Sequence, residues 1–190
     1  MNKQLKKLVY IGLLTHLVSA SAVAAGFDSV GSKLEAFNAK TGVVMIRGFE
    51  KVGSIFALYG SQLDVESKEF INVSEGTTQY GITIELIKMV GQSNLKKKSY
   101  VDYDEIDSLI EGIDYITKIS PSVTKFEHFQ ADYKTRGDLK VSIFSSNEGV
   151  LGVVTSGKEG GVSIYFKLDT LTQVKALLLH AKRRIDVIRG

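Results

Sequence analysis

The spacing of apolar residues changes within the chain, and this change constrains the fold more than any other sequence feature. Over residues 80–89 apolar and polar positions alternate, which is typical of a strand with one buried face. From Asp104 onward the apolar residues recur every three or four positions, which predicts an amphipathic helix. The helical stripe consists of Ile106, Leu109, Ile110, Ile113, Ile116 and Ile119. Strands followed by a helix predict an α+β fold with antiparallel sheets.

The first half of the chain contains several short runs rich in β-branched and aromatic residues, separated by glycine-containing turns. We expect four strands, at residues 43–49, 53–59, 68–73 and 80–89. Asp104 is the expected N-cap of the following helix, because its carboxylate can accept hydrogen bonds from the first-turn amides. Pro121 stops the helical segment, since proline has no amide donor. Residues 28–38 fit either a short helix or a loop.

The same order of elements recurs after Pro121. We expect strands at residues 125–134, 139–145, 149–155 and 161–168, followed by a second amphipathic helix that begins at Asp169. A shift of 65 residues superposes Asp104 on Asp169 and Ile113 on Leu178. This favours a duplicated four-strand-plus-helix unit (residues 41–119 and 122–188) within a single domain spanning residues 26–190. The alternative is that any capped amphipathic helix that follows a strand aligns this well.

The first 25 residues differ from the rest. Three lysines precede an apolar run at residues 8–18, and small residues follow up to Ala25, which is the pattern of a secretory signal peptide. We expect cleavage after Ala24 or Ala25 and a secreted or periplasmic protein. A retained membrane anchor is the alternative, although the apolar run is shorter than the roughly 20 residues that span a bilayer.

Charge gives little support for a nucleic-acid or membrane partner. Without residues 1–25 the chain has equal numbers of basic and acidic residues, so we expect no nucleic-acid partner and no membrane partner after cleavage. The basic runs at residues 96–98 and 182–184 are expected to be solvated turns or helix faces. Residues 26–121 hold 10 basic and 14 acidic residues, and residues 122–190 hold 11 and 7. Opposite signs favour packing of the halves within one chain or in a homo-oligomer.

Few residues suit catalysis or metal binding. The chain has no cysteine, and His128 and His180 are the only histidines after residue 25, without ligand-type spacing. We therefore expect no metal, no cofactor and no catalytic group. Enzymatic activity stays open, and its absence is favoured.

The densest cluster of carboxylates and tyrosines lies around the start of the first helix. Tyrosines beside carboxylates give contact area and hydrogen bonds together, so this segment is the predicted ligand-binding site. Its residues are Tyr100, Asp102, Tyr103, Asp104, Asp107 and Glu111. A capped, solubilising helix is the alternative interpretation. The loop pattern of a calcium site is absent.

Residues 100–116, with the sequence YVDYDEIDSLIEGIDYI, resemble a segment of uncharacterised exported bacterial proteins. The repeated layout of four strands and a helix is also similar to Whirly and PUR-type single-strand nucleic-acid binders, which implies paired units with curved sheets backed by helices. The similarity concerns the order of elements. The neutral charge and the export signal argue against carrying nucleic-acid binding over.

The leading hypothesis is an exported, non-enzymatic binding or interaction module with an unknown protein or small-molecule partner. One alternative is a small hydrolase that uses the carboxylates of residues 102–111. Another is a carrier of an apolar ligand, suggested by Phe49, Phe56 and Tyr59.

Overall fold

The computed structural model describes residues 31–147, 149–157 and 160–190. Within these residues the chain forms two antiparallel four-stranded sheets and three α-helices, so the predicted α+β fold is confirmed. The predicted signal peptide, residues 1–25, lies outside the described residues.

The first sheet contains four strands in sequence order, each hydrogen-bonded to the next. They are β1 (Met45–Phe56), β2 (Gln62–Asn72), β3 (Thr77–Val90) and β4 (Ser93–Asp102). The runs predicted as separate strands at residues 43–49 and 53–59 are the single strand β1, which is a correction. The register with β2 shifts between Lys51 and Gly53, which leaves Val52 without a partner on β2, and a β-bulge of this kind bends a strand without ending it.

Strand β4 was missed, because residues 93–98 lack the apolar alternation that marks a half-buried strand. Backbone pairing with β3 forms it nonetheless, with Lys98 opposite Glu85. The basic run at residues 96–98 therefore lies on an exposed strand and not in a turn or helix. Strand β2 also begins six residues earlier than predicted, at Gln62.

The second sheet has the same consecutive order. Its strands are β5 (Gln130–Lys134), β6 (Leu139–Ser146), β7 (Gly149–Ser156) and β8 (Val162–Lys167). Three of the four predicted strands agree within one or two residues. The strand predicted from residue 125 begins only at Gln130, since residues 124–127 form bends.

The α-helices are α1 (Lys33–Asn38), α2 (Ile106–Thr117) and α3 (Leu168–Arg189). The ambiguous segment 28–38 thus contains a short helix, with the Ser32 hydroxyl accepting from the amide of Glu35. Asp104 is not the N-cap of α2, contrary to the prediction. It lies in a 3₁₀ turn at Tyr103–Glu105 before the helix, and its carboxylate accepts hydrogen bonds from Lys33 and Arg136 instead.

Each long helix packs against the sheet of the other half. Helix α2 follows the first sheet, yet a Cβ at Gly112 would overlap the ring of Tyr133 on β5. Helix α3 follows the second sheet, yet the hydroxyl of Ser67 on β2 donates to the carbonyl of Ala181 at 3.0 Å. One continuous core therefore contains residues from both sheets and both helices. The duplication of units 41–119 and 122–188 stays a prediction.

The sheets present their other surfaces outward. We call the side of each sheet away from α2 and α3 its outer face. Helix α1 covers one end of the first sheet's outer face, where Leu34 and Phe37 pack on Phe70. No helix described in residues 31–147, 149–157 and 160–190 is long and apolar enough to cross a bilayer.

Candidate functional site

Asp102, at the end of β4, holds helix α1 to the body of the protein. Its side chain is 4% exposed, and its carboxylate accepts hydrogen bonds from the amides of Lys33 at 3.0 Å and Leu34 at 2.8 Å. Arg136, from the turn between β5 and β6, lies 3.3 Å from the same carboxylate. Asp102 therefore stabilises the start of a helix through hydrogen bonds to its free amides.

Asp104 and Glu105 bind the same arginine. The guanidinium of Arg136 donates to Asp104 at 2.5 Å, and the Arg136 amide donates to Glu105 at 2.8 Å. The hydrogen bond from Lys33 to Asp104 and the contact with Arg136 hold the pKa of Asp104 below its usual value. The hydrogen bond to Asp104 in turn raises the pKa of Arg136. These contacts join α1, the start of α2 and the second sheet.

The remaining predicted site residues have partners of their own. The Tyr103 hydroxyl donates to Asp186 at 2.5 Å, and the guanidinium of Arg189 lies 3.9 Å from the Tyr103 ring centroid. Asp107 lies 3.3 Å from the ammonium of Lys182. Helix α3 therefore covers much of this segment.

The structure does not bring the six predicted residues into one pocket. Asp102, Tyr103 and Asp104 line an open groove of about 370 Å³ beside Tyr80 and Arg189. Tyr100 is half-buried on the outer face of the first sheet, and its hydroxyl accepts from Asn38 at 3.4 Å. A different groove, beside Tyr115 and Lys175, contains Glu111. The assignment of these six residues to a binding site stays a prediction.

Two carboxylates near α2 have lowered pKa values and are therefore not suited to donating a proton. Hydrogen bonds from Lys118 and Lys175 lower the pKa of Asp114 to about 2, and the pKa of Asp104 is also lowered. A general acid that works near neutral pH needs a raised pKa. Both groups are therefore permanent anions at neutral pH. Among the described residues no group of three or more histidines, aspartates and glutamates is placed to hold a metal.

A second candidate surface lies on the outer face of the second sheet, where the rings of three residues meet edge to face. The Tyr165 ring centroid on β8 lies 6.3 Å from that of Phe144 on β6 and 6.4 Å from that of Tyr59. The interplanar angles of 77° and 74° are those of favourable aromatic pairs. Leu151 and Val153 of β7 are half-buried in the neighbouring positions. We call Tyr59, Phe144, Leu151, Val153 and Tyr165 the aromatic face.

Tyr59 reaches the aromatic face from the first half of the chain. It lies in the turn between β1 and β2, with φ of 58° and ψ of 36°, the left-handed region that bulky residues rarely occupy. Its side chain is 79% exposed. A strained backbone that holds an exposed ring against another aromatic ring is a feature expected of functional sites.

Lysines lie on both sides of the aromatic face. Strand pairing places Phe144 and Leu151 in one row with Lys167, and Lys140 in a second row with Thr155. Within the part of the chain that the structure describes, Lys140 and Lys167 form no ion pair. The central Ser142 is fully buried, and its hydroxyl has no hydrogen-bond partner among the described residues. The face thus combines rings and aliphatic side chains with the buried Ser142 and Asp132 in its central row, and lysines lie in the rows on both sides.

Sequence reasoning missed this surface, although part of the signal was available. Phe144 and Tyr165 occupy outer positions of strands that were predicted correctly, so two aromatic residues on a solvent-facing side could have been noticed. Tyr59 was considered only for an apolar-ligand carrier. It is exposed, as are Phe49 at 70% and Phe56 at 75%, so these three rings do not line an enclosed cavity.

Fold and surface together define an α+β protein with two consecutive antiparallel sheets that share one core, and with a partly exposed aromatic face. No protein-family model, curated protein or solved structure matches the chain.

Proposed function

We propose that this chain is an exported, non-enzymatic binding module that binds a protein partner on the aromatic face. The observation that carries the proposal is the edge-to-face arrangement of Tyr59, Phe144 and Tyr165 on a sheet surface that no described element covers. Aromatic residues are enriched in protein interfaces, and central aromatic residues contribute most of the binding energy there.

The backbone at Tyr59 supports this choice of surface. A left-handed conformation costs a non-glycine residue about 1 kcal/mol or more, and glycine at this position would avoid that cost. Tyrosine at this position gains a ring contact with Tyr165 but remains mostly exposed. Contact with a partner would bury the ring and compensate for the strain.

The rim indicates the chemistry of the partner. Lys140 and Lys167 border the aromatic face, whereas Asp132 is the acidic residue in its central row. Opposite charges steer association and discriminate between partners. The partner is therefore a protein segment that presents apolar side chains flanked by acidic ones.

The two alternatives have weaker support. A hydrolase that uses the carboxylates of residues 102–111 needs a group with a raised pKa, whereas the pKa of Asp104 is lowered and Asp102 binds the amides of α1. Hydrolase activity that survives combined Asp102→Asn and Asp104→Asn substitution would exclude a hydrolase that uses these carboxylates. A carrier of an apolar ligand needs an enclosed cavity, and Phe49, Phe56 and Tyr59 are exposed.

The experiment selects displayed random peptides on the purified protein and measures the affinity of enriched peptides for variants. We expect enriched peptides to combine apolar and acidic residues. Tyr59→Gly keeps the backbone conformation and removes the ring, so it should weaken binding at least about tenfold. Combined Lys140→Glu and Lys167→Glu substitution should also weaken binding, with a smaller effect at high salt.

The matched control lies in the other candidate segment. Combined Asp107→Asn and Glu111→Gln substitution should leave peptide affinity unchanged if the aromatic face makes the contact. Loss of binding in this control, with retention in Tyr59→Gly, would overturn the proposal and favour the predicted segment. Light scattering measures the oligomeric state of the protein. If the unchanged protein is a dimer and Tyr59→Gly makes it a monomer, a second copy of the chain binds the aromatic face.

Export is tested separately, by the intact mass of the protein recovered from a bacterial host. A protein that begins at Ala25 or Gly26 supports export by a cleaved signal peptide. An uncleaved chain in the cytoplasmic fraction contradicts it.

A further inference from the structure

The hairpin formed by β3 and β4 extends beyond the rest of the first sheet. The pairing of β2 with β3 ends at Gln62 and Ile87, whereas β3 and β4 pair as far as Val90 and Ser93. All residues from 89 to 98 are exposed. We call residues 88–98 the lysine hairpin.

This hairpin is strongly basic. It contains Lys88, Lys96, Lys97 and Lys98 and no acidic residue. Lys98 lies 3.7 Å from Glu85 and 4.0 Å from Glu66. The other three lysines form no ion pair within the described residues. Their positive charge is therefore available to a partner.

The tip of the hairpin is also apolar. Met89, Val90 and Leu95 are 57%, 55% and 50% exposed. Met89 pairs with Asn94 and Val90 with Ser93 around a turn in which Gly91 has φ of 61°. Water thus surrounds aliphatic side chains that a sheet would normally bury.

We propose that the lysine hairpin docks the protein on an anionic lipid surface, with Met89, Val90 and Leu95 entering the headgroup region. Apolar side chains gain free energy at the boundary between headgroups and acyl chains, and nearby lysines are attracted to anionic headgroups. The combination of an aliphatic tip and a basic collar provides both contributions on one element.

The composition of the tip separates a lipid surface from soluble anionic polymers. Single-stranded nucleic acids are bound by aromatic rings that stack on bases, and the lysine hairpin contains no aromatic residue. Aliphatic side chains contribute to lipid binding through burial, whereas a flexible polyanion would contact only the lysines.

This inference does not rest on the aromatic face, which belongs to the other sheet. It also differs from the expectation of no membrane partner. That expectation came from net charge, which averages over the chain, whereas the fold places Lys88 on the part of the hairpin beyond β2 and Lys96, Lys97 and Lys98 next to that part.

The test is cosedimentation of the purified full protein with vesicles of phosphatidylcholine alone or mixed with phosphatidylglycerol. The N-terminus is determined by intact mass and must be the same in every variant, so that differences arise from the hairpin. We expect binding to the mixed vesicles that weakens as salt increases. Combined Lys88→Gln and Lys96→Gln substitution should weaken it about thirtyfold, since each lysine near an anionic surface contributes about fivefold.

The apolar part is tested by combined Met89→Ser and Leu95→Ser substitution, for which we expect a loss of about tenfold or more. The matched control is combined Lys125→Gln and Phe126→Ser substitution, which removes an exposed lysine and an 82% exposed ring from another loop. This control should bind like the unchanged protein. Circular dichroism confirms that each variant is folded.

Three outcomes would overturn the proposal. One is equal binding to both vesicle types, and another is a control variant that loses as much binding as the hairpin variants. The third is binding to vesicles and to soluble polyphosphate that depends on Lys88 and Lys96 but not on Met89 and Leu95. None of these bears on Tyr59, so failure here and failure of the aromatic face are distinguishable.

Discussion

The outer faces of the two sheets differ in how much of their apolar and charged surface is covered or paired by other parts of the chain. On the first sheet, α1 packs on Phe70, and the next rows hold ion pairs of Lys51 with Asp64 at 2.9 Å and Lys68 with Glu66 at 2.6 Å. On the second sheet, Phe144 and Tyr165 lie on a face without a covering helix. The first face is covered by α1 at one end and holds ion pairs next to it, and its exposed rings, Phe49 and Phe56, lie on the edge strand β1. The second face has contacting rings that remain partly in water.

This difference determines where a partner gains most. At its α1 end and over the ion pairs, a partner on the first face would have to displace α1 or desolvate charges that already have counter-ions. A partner on the second face would bury apolar rings without breaking an existing ion pair. The comparison therefore favours the second sheet for binding and the first for stability.

The largest expected effect compares one phenylalanine from each outer face. Phe70 is 3% exposed beneath α1, so Phe70→Ala should reduce the free energy of unfolding by about 3–5 kcal/mol. Phe144 is of intermediate exposure, and Phe144→Ala should cost less, about 2 kcal/mol, because part of its surface stays in water and contributes no transfer free energy. Urea denaturation of both variants measures the difference.

Equal costs for the two substitutions would contradict the comparison, since they would mean that the second face is also covered. The described residues show no such cover.

A smaller loss of stability is expected from weakening the attachment of α1, which covers part of the first outer face. Asp102→Asn replaces a carboxylate that accepts from the amides of Lys33 and Leu34 with a group that has one acceptor and an unwanted donor. We expect a loss of about 2 kcal/mol and faster hydrogen exchange in α1.

Asp107→Asn is the matched change at an exposed ion pair with Lys182, and it should alter stability by no more than about 0.5 kcal/mol. If the two variants lose the same stability, the contacts of Asp102 with α1 contribute no more than an exposed pair.

Much of the fold could be predicted because burial leaves a regular mark on the sequence. The stripe from Ile106 to Ile116 predicts α2, and the alternation from Tyr80 to Leu86 predicts most of β3. Strand β4 could not be predicted from Ser93 to Lys98, because these side chains are exposed and polar apart from Leu95, and the strand forms through backbone pairing with β3.

The candidate surfaces were harder to predict because they depend on tertiary contacts. Tyr59 meets Tyr165 only after the two halves have packed together. Asp102 was predicted to bind a ligand, and nothing in its local sequence indicates that α1, from far earlier in the chain, supplies the amides that it accepts. The local sequence identified a cluster of tyrosines and carboxylates, but it did not indicate which of them the fold pairs with other groups.

The smallest effect concerns the charges of the first outer face. Burial raises the pKa of Asp64 and Glu66, but hydrogen bonds from Lys51 and Lys68 outweigh it, so both pKa values lie below the usual range. Carboxylates with lowered folded-state pKa values stabilise the protein above their unfolded pKa values, and this contribution disappears as the pH falls through the folded values.

Stability should therefore decrease between about pH 5 and about pH 2, and combined Asp64→Asn and Glu66→Gln substitution should flatten that decrease by about 1 kcal/mol per pair at most. Urea denaturation across this range is the measurement, and high salt should flatten the profile of the unchanged protein more than that of the variant. If the variant retains the full pH dependence, these ion pairs do not stabilise the first outer face. Helix α1 would then be the feature that distinguishes the first outer face from the second.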